Sequence, residues 1–73
     1  MKAVGRNVIV RREPIDGNRY PFKGTVVSVG SDVDSQDVTE GSIVMFKGDL
    51  GIHTIPEYPS CAVMDIDYIL AVI

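Results

Sequence analysis

Residues 69 to 73 of this 73-residue chain, Ile69-Leu70-Ala71-Val72-Ile73, form an unbroken apolar run. Rich in β-branched side chains and too short for a helix, the run reads as a strand covered on both faces. Residues near a chain end stay ordered only when something ties them down. A chain this short buries roughly 60% of its unfolded surface, and a core of this size supplies only about 3–5 kcal/mol. Little chain is therefore left over to cover the run. Disulfides, a structural metal or oligomerisation are the usual supports for such small domains. Cys61 is the sole cysteine and His53 the sole histidine, so an internal bridge and a structural zinc site are both excluded on spacing. The expectation is a homo-oligomer, with the apolar run at its interface.

The remaining pattern is one of short strands. Asn7-Val8-Ile9-Val10-Arg11-Arg12 sets Val8 and Val10 on one face and Ile9 and Arg11 on the other, as period-two alternation requires. Residues 13 to 23 hold two prolines and an Asp-Gly pair and read as a loop. Gly24 to Gly30 is a glycine-bounded strand, expected to place Thr25, Val27 and Val29 opposite Val26 and Ser28. Residues 31 to 40 are polar and acidic and read as a connection. Residues 42 to 46 and 51 to 55 read as two further strands, joined by the glycine-containing turn at 47 to 51 into a hairpin. Pro56 and Pro59 mark a loop, residues 61 to 64 a fifth strand, 65 to 67 a turn, and 68 to 73 the sixth strand. No segment keeps a 3.6-residue period. A single all-β domain spanning residues 1 to 73 is expected, a barrel or sandwich of about six short strands, with closure into a barrel expected because it leaves no edge open.

Charge narrows the function. Seven basic residues against ten acidic ones leave a net charge of −3, and the one basic cluster, Arg11-Arg12, lacks the interleaved aromatics of a phosphate-tracking surface. A nucleic-acid module is thereby disfavoured. No apolar stretch approaches the ~18 residues of a membrane span, and the start Met1-Lys2 opens no apolar leader. The expectation is a cytoplasmic protein without a membrane partner.

Four segments, in order, resemble the GroES-type co-chaperonin family. Asn7-Val8-Ile9-Val10-Arg11-Arg12 is similar to its opening strand. Gly24-Thr25-Val26-Val27-Ser28-Val29-Gly30 is similar to its Gly-x-Val-x-x-Val-Gly strand. Val38-Thr39-Glu40-Gly41-Ser42-Ile43-Val44-Met45-Phe46-Lys47 is similar to its V-x-x-G-D-x-V-x-F segment, with Ser42 in place of Asp. Asp67-Tyr68-Ile69-Leu70-Ala71-Val72 is similar to its closing D-I-L-A strand. The resemblance implies a small GroES-like barrel, partly OB/SH3-like, and a ring, heptameric in the family. There the first strand of one subunit pairs with the last strand of the next, here Val8, Ile9, Val10 and Arg11 with Ile69, Leu70, Ala71, Val72 and Ile73. It also implies that the ring caps a large, ATP-dependent chaperonin and assists protein folding, the ATPase being the partner. The family docks through a long loop after the first strand. Here residues 13 to 23 contain neither a glycine pair nor an aliphatic triplet, and Ile15, Tyr20 and Phe22 are the apolar candidates for chaperonin contact. Residues 31 to 40 are short and polar for the family's roof hairpin. A second reading keeps the barrel as a structural protein, viral or otherwise divergent, that assembles or decorates a larger particle without binding a chaperonin.

Single residues add no chemistry. Tyr20 and Phe22 either fold back as a lid on one barrel end or stand out as partner anchors. His53 has no second ligand at a metal-binding spacing, and no metal or other cofactor is expected. Cys61 reads as a small buried hydrophobe, with no base assigned to activate it. Asp32, Asp34, Asp37 and Glu40 lack the central glycine and closing glutamate of a calcium loop. Gly48 and Gly51 lack the Lys-Ser/Thr ending and helix of a phosphate loop. No enzymatic activity is expected, and no catalytic residue is nominated.

Overall fold

The computed structural model describes residues 1 to 14, 21 to 48 and 50 to 73. It is all-β apart from one 3₁₀ turn. The strands are β1 (Asn7–Arg11), β2 (Lys23–Val29), β3 (Ile43–Phe46), β4 (His53–Ile55), β5 (Tyr58–Asp65) and β6 (Ile69–Val72), with the 3₁₀ turn Ile66–Tyr68 just before β6. They make one six-stranded sheet in the order β4-β5-β1-β2-β3-β6, and every neighbouring pair is antiparallel.

The sheet curls around its core as a barrel does, yet it does not close: β4 and β6 are its two free edges. The expected closure is corrected on this point. The expected hairpin between the third and fourth strands is corrected as well. β3 pairs with β2 and β6, whereas β4 folds back on β5 through a two-residue turn at Pro56 and Glu57. Pro56 favours that turn because its fixed φ suits the first central position. β5 consequently starts at Tyr58, earlier than the prolines suggest. Pro59 is tolerated because the β1 ladder reaches β5 only from Ser60 onward, where the Arg12 N–H donates to the Ser60 carbonyl at 2.7 Å.

Two apolar layers share the sheet. The inner one joins Val8, Val10, Val26, Val38, Val44, Phe46, Ala62 and Met64, and Ile69 packs against it. The outer one is smaller, with Ala3, Ile9 and Cys61 buried and Val27, Ile55 and Val63 packed around them. Val8 and Val10 thus face one layer and Ile9 the other, as the alternation predicts. In β2 the alternation fails. Val10 lies opposite Val26 and Ile9 opposite Ser28, so Val27 is an extra, bulged residue. Val26 and Val29 share the inner layer as a result, while Val27 and Ser28 belong to the outer side. Val38 comes from the loop read as solvated, yet its side chain plugs the inner core. No strand forms between residues 31 and 40, and Gly41 turns the chain into β3 with φ of 93°, a conformation glycine adopts without steric cost.

Candidate functional site

β6 and its surroundings form the candidate site. The chain reaches β6 through a braced corner. Asp65 caps the 3₁₀ turn, its Oδ1 accepting from the Asp67 N–H at 2.8 Å, and the Ile69 N–H closes the turn by donating to the Ile66 carbonyl. The Arg6 guanidinium lies 3.1 Å from the Asp67 carboxylate and 3.6 Å from that of Asp65, and the Ile66 N–H donates to the Arg6 carbonyl at 2.8 Å. The backbone hydrogen bond from Asp67 holds the Asp65 carboxyl below its ordinary pKa, with Arg6 adding in the same direction. Bonding to Asp65 raises the Arg6 pKa in turn.

From this corner β6 runs antiparallel to β3, with Val72 opposite Val44, Ala71 opposite Met45 and Ile69 opposite Phe46. The Ile73 N–H extends the ladder to the Ile43 carbonyl at 2.7 Å. Leu70 is the extra residue at the register shift, and 62% of its surface is exposed. Among the described residues no strand lies beside the opposite side of β6. An open groove of about 220 Å³ is lined by β6 together with Ser35, Asp37 and Val38. A free edge flanked by apolar side chains is the arrangement that accepts an added strand.

The two halves of the expected subunit contact fare differently. Leu70, Ala71, Val72 and Ile73 are exposed, and Ile69 is half-buried against the inner core. Val8, Ile9 and Val10 are buried, and each pairs with β2 on one side and β5 on the other. β1 is the middle of the sheet and offers no edge to a neighbour. Arg11 is exposed, but its backbone is paired on both sides too, and its Nε lies 3.9 Å from Glu13 Oε1. The expected pairing of the first strand with a neighbour's last is corrected accordingly. Long-range closure of β5 onto β1, invisible in local spacing, is the physical reason.

Of the three loop candidates, Ile15 and Tyr20 lie outside the described residues. Phe22 is partly packed and partly exposed. Its ring meets Phe46 edge-on, with centroids 6.1 Å apart at 80°, and lies against Gly48, yet 56% of it is exposed. Its carbonyl accepts from the Phe46 N–H at 3.0 Å. Several exposed apolar residues escaped the sequence reading. Leu50 is 99% exposed in the turn after β3, and Ile43 and Met45 stand on the outer face of β3. The sequence signal for the latter pair is that all of Ile43-Val44-Met45-Phe46 is apolar, although only one face of β3 is buried. Met1 and Val4 are exposed on either side of buried Ala3, whose N–H donates to Ser28 Oγ at 2.8 Å.

Among the described residues no group of three or more His, Cys, Asp or Glu could hold a metal ion, and no helix is long and apolar enough to cross a membrane. Cys61 is buried as a free thiol, and His53 is exposed on β4. A scan against protein-family models matches no family, and a search of curated proteins finds no match.

Proposed function

We propose that the chain is a co-chaperonin-like subunit that joins copies of itself into a ring, and that the ring caps a large ATP-dependent chaperonin to assist protein folding. The free apolar edge of β6 carries this reading. A strand with exposed Leu70, Val72 and Ile73 and no neighbour on one side stays soluble most readily when another chain covers it. The four sequence segments that resemble the GroES-type family support the same reading. Heptameric size and a cytoplasmic setting belong to it as well.

Native mass spectrometry at micromolar concentration tests the ring, and a stable monomer refutes it. Co-sedimentation with a large chaperonin in the presence of ATP, together with a change in ATP turnover, tests the cap. The short segment from 13 to 23, which lacks a glycine pair and an aliphatic triplet, favours the second reading of a structural assembly protein. An oligomer that leaves every chaperonin untouched selects that reading.

A further inference from the structure

No further inference is drawn: the strongest candidate, the exposed apolar patch that Ile43 and Met45 of β3 form with Ala71 and Ile73 of the closing segment on the outer face of the sheet, is an unpartnered sheet face, and nothing in the structure shows what covers it.

Discussion

Replacing Gly30 with alanine tests how the end of β2 is held against the turn that precedes β1. The Gly30 N–H donates to the Asn7 carbonyl at 2.8 Å, and the Asp32 N–H donates to the Gly5 carbonyl at 2.9 Å. A methyl group at position 30 would land on the Gly5 carbonyl and lie 2.9 Å from the Asn7 oxygen. Backbone, unlike a flexible side chain, cannot swing aside, so both hydrogen bonds must stretch. Their loss costs about 1 kcal/mol each, and the forced displacement adds about 1–3 kcal/mol. The sum, about 3–5 kcal/mol, matches the whole stability expected of so small a core. For a domain of this size each kcal/mol lowers the melting temperature by about 4–8 °C, so Gly30→Ala should melt at least about 12 °C below wild type, or fail to fold. Gly41→Ala is the control. A methyl group there meets nothing within 4 Å, and only the positive φ of 93° opposes it, a strain of about 1–3 kcal/mol. Circular-dichroism melts at one fixed chain concentration read both variants, since association would otherwise shift the midpoint. If Gly30→Ala melts within about 2 °C of wild type, or above Gly41→Ala, the close approach of β2 to residue 5 is refuted.

Ser28→Ala strands the buried Ala3 N–H, whose partner is Ser28 Oγ, and should cost about 1–3 kcal/mol in a denaturant titration; an unchanged midpoint would place the N-terminal segment off the sheet. Leu70→Lys sets a charge on the free edge of β6 at an exposed site, so it should preserve the monomer fold while native mass spectrometry shows the oligomer dissociating. Asp65 has its pKa lowered in the folded chain, so its stabilising contribution is complete above the ordinary carboxylate range and fades as pH falls through the folded value. Asp65→Asn should therefore lower stability modestly at pH 7 and flatten the acid limb, the two profiles converging below about pH 4; an identical acid limb would show that the caps at Asp67 and Arg6 do not act on Asp65.

Most strand positions were legible because glycines and prolines punctuate them, and Val8, Val10 and Cys61 are buried as their patterns imply. What stayed illegible was long-range. The bulge at Val27 shifts a register by one residue, and nothing in Gly-Thr-Val-Val-Ser-Val-Gly marks which valine is the extra one. The partner of β3 depends on where β6 returns, and the interior place of β1 depends on β5, at least fifty residues away from its partners. Leu50 was unreadable for the opposite reason: a lone leucine in a glycine turn looks the same in sequence whether it folds inward or stands free.

The central place of β1 also sets the order in which this molecule can be made. β1 is made before β5, but β5, its second neighbour, pairs Asn7 with Asp65 and Arg11 with Cys61, so it arrives only after the intervening strands. Until then Val8, Ile9 and Val10 lie on an open strand edge of a half-built sheet, the form most prone to pair with other chains. The sheet therefore cannot be completed strand by strand in chain order, and its β1–β5 seam closes late, with the slow kinetics that distant strand pairing imposes.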